Sequence, residues 1–166
     1  MALLVLVGLP GTGKTTVGRE IASNWNRGFI DTDDLLAASV GCTAAEYLRS
    51  AGEEAFRAAE LRALEEALAE DAIVATGGGI VTTRSAREVL AGERTFWLDC
   101  SDDEILERVG DGDRPLLGDD PRGALVRLRQ QREQWYREVS RVCVDASGTL
   151  DDVVERVLSE AQRVGQ

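Results

Sequence analysis

Short apolar runs and longer stretches of helical periodicity alternate along the whole chain. The runs are Leu3 to Val7, Gly28-Phe29-Ile30, Ala72 to Ala75, Thr95 to Leu98 and Val142 to Val144. Each is too short for a helix, rich in branched or aromatic residues and free of polar alternation, the mark of a strand covered on both faces. Helical patterns fill the intervals. Val17, Ile21 and Ala22 follow the first run, and a second helical stretch reaches Val40. Thr43-Ala44-Ala45-Glu46 reads as a capping box opening another helix. From Gly52 a long amphipathic helix runs to about Ala69, with Phe56, Leu61, Leu64 and Leu68 on one side. Ser85 to Leu90 is helical, and Ser101-Asp102-Asp103-Glu104 is a second capping box for a helix reaching about Val109. Pro121 suits the first turn of a helix that runs from Asp120 to about Val139. Leu150 to Val164 closes the pattern. Five strands alternating with helices predict one α/β domain over residues 1–166, a parallel sheet with helices on both faces.

In such sheets ligands bind at the carboxyl ends of the strands, and the candidate chemistry lies there. After the first strand the spacing G-x-x-x-x-G-K-T is filled from Gly8 to Thr15. Gly8, Gly11 and Gly13 let the backbone turn its N–H groups onto an anion. Lys14 would reach β- and γ-phosphates, and the Thr15 hydroxyl would ligate Mg²⁺. The next helix points its positive end at the same place. After the second strand comes Asp31-Thr32-Asp33. As an isolated motif it would serve equally as a turn or cap. Beside a phosphate cradle, Asp31 would hold a water on Mg²⁺ and Asp33 would accept a proton from an attacking hydroxyl. Asp34 is a first-turn acid of the helix. Gly77-Gly78-Gly79 after the third strand is either a flexible turn or a backbone lying against a ligand.

Arg57 and Glu60 share a helix face, either as a solvated ion pair or as an arginine held toward a substrate carboxylate. The stretch Gly110 to Asp120 changes to Gly, Asp and Pro around Arg114-Pro115-Leu116-Leu117. It reads as a mobile lid, or else as an ordinary surface loop. Arg132 and Tyr136 lie on one face of the following helix, where Arg132 by itself reads as surface charge.

Composition narrows the chemistry. The net charge is −11, which argues against nucleic acid and anionic membrane as partners. Attraction for an anion must then come from a few arginines facing a cleft. There is no histidine, so a general base near neutral pH must be a carboxylate. Of the 19 basic residues Lys14 is the only lysine, placed where a compact ammonium suits the cradle. Cys42, Cys100 and Cys143 are odd in number and widely spaced, as in a reduced, cytoplasmic protein. No basic segment precedes the first apolar run, which is too short to span a membrane.

Taken together, GLPGTGKTT, DTD, GEEAFR, GGG, RPLL and R-x-x-x-Y, in that order, resemble shikimate kinase over essentially the whole chain. That family belongs to the P-loop group related to nucleoside-monophosphate kinases. The resemblance implies a three-layer P-loop kinase fold with sheet order 2-3-1-4-5, a lid at about 110–120 and an acceptor-binding region at about 33–62. It implies a monomer that uses ATP and Mg²⁺ to phosphorylate the 3-hydroxyl of shikimate. It assigns Gly11, Thr12, Gly13, Lys14, Thr15 and Thr16 to ATP, Arg114 to its phosphates from the lid, and Arg108 and Ser147 to further nucleotide contacts. Thr15 and Asp31 serve the metal. Asp33, Arg57, Gly77, Gly78, Gly79 and Arg132 take the acceptor, with Asp33 as base; Lys14, Arg114 and Asp33 are the catalytic set. A kinase of a related carboxylated cyclitol, or a silent nucleotide-binding regulator, would share much of this pattern. Gluconate kinases share the cradle but carry a histidine after the acid, and this chain has none. Where the family reads R-x-P-L-Y, this chain has Arg132-Glu133-Gln134-Trp135-Tyr136. Trp135 would either narrow the acceptor pocket or pack on the helix beneath.

Overall fold

The computed structural model describes residues 1–109 and 118–165. The five apolar runs become strands β1 (Leu4–Val7), β2 (Gly28–Asp31), β3 (Ala72–Ala75), β4 (Thr95–Asp99) and β5 (Val142–Asp145). They form one sheet in the order β2-β3-β1-β4-β5, with every pairing parallel. The order is the one expected. All residues of β1 and β3 are buried, whereas β2 and β5, at the edges, are only partly covered. The sheet reverses its direction of growth at β1, with β3 on one side and β4 on the other, so a crevice opens above the end of β1.

The helices are α1 (Lys14–Trp25), α2 (Thr32–Val40), α3 (Ala44–Ala51), α4 (Glu53–Ala69), α5 (Arg84–Ala91), α6 (Asp102–Val109), α7 (Pro121–Val139) and α8 (Leu150–Val164). α1 packs beside α8, and α5 beside α7. Helices cover both faces of the sheet.

Capping explains most boundaries. Thr43 accepts from the Glu46 amide at 3.2 Å while the Glu46 carboxylate accepts from the Thr43 amide at 2.9 Å, a complete box. The box expected at Ser101 is only half formed. Its hydroxyl accepts from the Glu104 amide at 3.3 Å and donates to one Glu104 carboxylate oxygen at 3.2 Å, while the other oxygen accepts from the Gly148 amide at 3.2 Å rather than from the Ser101 amide. Asp120 caps α7 through the Gly123 amide, with Pro121 in the first turn.

The principal core gathers around β1, β3 and β4, and includes Leu4, Leu6, Ile73, Phe96, Leu98 and Tyr136. A second, smaller cluster of Leu36, Phe56, Ala59 and Ala63 joins α2, α3 and the first half of α4, with Val40, Ala44 and Tyr47 at its margin. α3 itself buries no residue completely.

Candidate active site

The loop between β1 and α1 is shaped by contacts that exclude side chains. A Cβ on Gly8 would lie 2.4 Å from the carbonyl oxygen of Leu98 in β4, and Gly11 and Gly13 take φ of 82° and 93°. Gly13 is the N-cap of α1 and offers no side chain, so the first-turn amides face the crevice uncapped. Lys14 is buried, only 7 % exposed, and its ammonium donates to the carbonyls of Gly8 and Leu9 at 2.9 Å each. Burial pulls its pKa down to about 8, partly offset by Asp33 and Asp31. Thr16, two residues on, is exposed.

A pH dependence follows. Below about 8 the free protein already carries the ammonium that phosphate oxygens favour; above it, binding must take up a proton. ADP affinity is therefore expected to fall as pH rises through 8. Calorimetry at pH 8.5 in buffers of different ionisation enthalpy should show proton uptake, and equal enthalpies in all buffers would exclude it.

On the far side of the cradle Arg108 spans two loops. It donates to the carbonyl of Thr12 at 3.3 Å and to those of Ala146 and Gly148 at 2.6 and 3.4 Å. Ser147 lies between these last two, its amide bound to Asp145 at 2.9 Å. Arg108 thus ties the cradle to the loop that carries Ser147. Arg114 and residues 110–117 of the expected lid at 110–120 lie outside the described residues.

β2 ends on Asp31, which is also the N-cap of α2. One carboxylate oxygen accepts from the Asp33 amide at 3.0 Å and the other from the Thr15 hydroxyl at 2.7 Å. The Thr15 proton is thereby directed at Asp31, leaving the hydroxyl lone pairs for a cation. Two hard oxygen groups beside a phosphate cradle fit Mg²⁺, which keeps waters and takes few protein ligands. Among the described residues no group of three or more Cys, Asp or Glu is placed to hold a metal on its own. Asp33 projects from the first turn of α2 into the crevice and remains open to solvent. Crowding in the crevice raises its pKa, Asp31 adds to this, and Lys14 opposes it.

The triple glycine follows β3, and each residue faces a different side chain. A Cβ on Gly77 would stand 2.6 Å from Asp33 Oδ1, one on Gly78 2.8 Å from the Pro10 ring, and one on Gly79 2.7 Å from an Arg57 nitrogen. None of the three has a positive φ; at Gly78 close approach to the Pro10 ring and backbone requires glycine, while at Gly77 and Gly79 a side chain would displace the ends of Asp33 and Arg57. Arg57 donates to Glu60 at 2.5 Å and to the Gly79 carbonyl at 3.4 Å. Their side chains are 20 % and 6 % exposed, which rules out the solvated pair that the helix spacing alone allowed. Burial raises the Glu60 pKa and the Arg57 contact lowers it in part.

Arg132 is not surface charge. It donates to the Gly78 carbonyl at 3.0 Å, and the Tyr136 hydroxyl donates to the same oxygen at 2.5 Å. The Nε atoms of Arg57 and Arg132 are buried without a partner among the described residues. Trp135 turns away, its ring 4.8 Å from the guanidinium of Arg87 in α5. It packs on the neighbouring helix. Sequence reasoning left Pro10 out of the site and gave Tyr136 only a place in R-x-x-x-Y beside Arg132, since neither carries chemistry by itself. Their one signal is position, in the cradle and one turn beyond Arg132.

The family model for shikimate kinase matches residues 10–162. The chain belongs to the shikimate kinase family. A shikimate kinase of Frankia casuarinae is 43% identical over 161 residues, covering 96% of this chain and 72% of the relative. One of Corynebacterium jeikeium is 44% identical over 146 residues, 87% and 79% of the two chains. Among solved structures, the shikimate kinase from Acinetobacter baumannii in complex with shikimate superposes with a TM-score of 0.89 at 33% identity, covering 96% of this chain and 92% of that one. A gluconokinase from Sinorhizobium meliloti reaches only 0.65 at 24% identity and shares the fold alone. As in the shikimate kinase family at large, ATP with Mg²⁺ is the phosphoryl source.

Proposed function

We propose that the protein transfers the γ-phosphoryl group of ATP to the 3-hydroxyl of shikimate. The observation that carries this reading is a crevice with a phosphate cradle on one wall, Asp33 at its centre and two arginines on the acceptor side. Lys14 and the uncapped amides of α1 draw charge from the transferring group. Lys14 exchanges one of its two carbonyl bonds for a phosphate oxygen. The Thr15 hydroxyl, and Asp31 through water, would hold Mg²⁺, which would supply the remaining positive charge to the phosphates. Asp33 orients the acceptor hydroxyl and takes its proton at the carboxylate. Arg57 and Arg132 hold the acceptor carboxylate, each anchored to a carbonyl of the glycine loop. Arg114 meets the phosphates from the lid.

The protein acts as one domain, a monomer in the cytoplasm, with an acceptor region at 33–62 and a lid at 110–120. The charge of −11 supports the absence of a nucleic-acid or anionic-membrane partner. No helix among the described residues is long and apolar enough to cross a membrane.

A coupled ADP-release assay with and without shikimate tests the reading, and a panel of other carboxylated cyclitols tests the rival acceptors. Release independent of shikimate overturns it. The arginines give a sharper expectation. A charge-assisted contact to a carboxylate is worth about 1.5–3 kcal/mol, one to two decades in affinity. Arg132→Ala should weaken shikimate binding by that much and change ADP binding far less. Arg57→Ala should do the same but also lower stability, since it strands the buried Glu60. A hydroxymethyl analogue of shikimate that turns over as well as shikimate would exclude a carboxylate clamp.

A further inference from the structure

The Gly78 peptide is held from two sides. Pro10, at the bend of the phosphate cradle, packs against it so closely that a Cβ on Gly78 would lie 2.8 Å from Pro10 Cδ, 3.1 Å from Cγ and 3.1 Å from its nitrogen. On its carbonyl, Arg132 and Tyr136 of α7 converge at 3.0 and 2.5 Å. The Tyr136 ring in turn stacks on Trp97 of β4, centroids 5.9 Å apart, and is almost wholly buried. The carbonyl therefore cannot follow a moving arginine without disturbing a packed ring. The three atoms nearest to a Cβ on Gly78 all belong to Pro10, in the loop that would hold the phosphates. Proline transmits displacement well, because its φ is fixed and its ring has little freedom to yield.

We infer that Pro10 is a positioning residue that couples the two half-sites: when nucleotide settles the cradle, the Pro10 ring sets the Gly78 peptide and with it Arg132. The acceptor arginine is thereby placed by the phosphate loop. By linkage, the acceptor anion must tighten nucleotide binding by the same factor. The identity of that anion rests on the function proposed above; the contact between the two loops does not.

The test uses the full chain and Mg·ADP binding by calorimetry. Gly78→Ala lies in the acceptor loop, yet its new methyl presses on the cradle. It should weaken ADP binding about tenfold or more, within the usual range of coupling between sites. Adding Pro10→Ala removes Cδ and Cγ and should recover most of the loss. ADP binding unchanged in Gly78→Ala, or no recovery in the double variant, overturns the inference. A second measurement separates coupling from damage to the cradle. In the parent, shikimate should tighten ADP binding; in Pro10→Ala this factor should fall toward one. A merely deformed cradle would weaken ADP equally with and without shikimate and leave the factor unchanged, which also overturns the inference. If shikimate binds not even the parent, the acceptor assignment fails, and the ADP measurements on the glycine variants still decide the role of Pro10.

Discussion

Replacing Lys14 with alanine should cut turnover by a factor on the order of 10³ or more, because the charge that develops on the transferring group loses a preorganised cation. The fold should survive, for a reason the sequence did not contain. From the sequence the residue reads as facing solvent or nucleotide, but it is buried, and its pKa is pulled from 10.5 to about 8. A depressed pKa means that the folded protein disfavours this ammonium, so deleting it relieves a cost. The carbonyls of Gly8 and Leu9 lose their donor but gain access to water in the crevice. Single-turnover rates and thermal unfolding of Lys14→Ala measure both effects. Activity within tenfold of the parent would remove Lys14 from the catalytic set.

The second large effect belongs to Asp33. Asp33→Asn keeps the shape that Gly77 accommodates but removes the proton acceptor, and in a protein with no histidine the neighbouring carboxylates of Asp31 and Glu60 are already engaged by Thr15 and Arg57. Turnover should fall by about 10²–10⁴, the usual worth of a positioned base, with ADP binding intact. Asp34→Asn is the control. Asp34 is exposed, 4.0 Å from an equally exposed Arg19, and its loss should matter little. If Asp34→Asn cripples the protein and Asp33→Asn is mild, the acid pair has been read one residue out of register. The raised pKa of Asp33 adds a signature. The base must be ionised to act, so the acid limb of kcat/KM should lie above the ordinary range for aspartate.

The fold was legible because its signals are local and repeated. Five two-sided apolar runs, one per βα unit, leave little choice but a parallel sheet, and the cradle spacing fixes the first of them at the centre of the chemistry. The acids were legible too, since Asp31 and Asp33 follow a strand end where ligands gather. What stayed hidden depends on pairs distant in sequence. Nothing near Arg132 announces that it meets Gly78, 54 residues away. The helix spacing of Arg57 and Glu60 fits a solvated pair as well as a buried one, and only the packing of α4 against α2 decides. The glycines show the same limit. Their number suggested freedom or a ligand, whereas three particular neighbours, Asp33, Pro10 and Arg57, occupy the space their side chains would need. The half-formed cap at Ser101 has a similar cause, one Glu104 oxygen being taken by a distant amide and the other by the Ser101 hydroxyl.

The second apolar cluster has a bearing on how the molecule tolerates change. Leu36, Phe56, Ala59 and Ala63 hold α2, α3 and the start of α4 to one another, beside the main core and away from β1 and β4. Asp33 and Arg57 stand on these elements, while Lys14 and Arg132 belong to helices that pack on the principal core. Asp33 and Arg57 thus draw their firmness from a smaller reservoir than Lys14 and Arg132 do. Elements with few buried apolar contacts open at lower free energy, so these two acceptor-side groups are expected to loosen before Arg132 does. Drift in sequence at Leu36 or Phe56 would reshape acceptor preference long before it was felt in the melting of the sheet. Global thermostability is for that reason a poor proxy for acceptor fidelity, and selection on the one leaves the other free to wander.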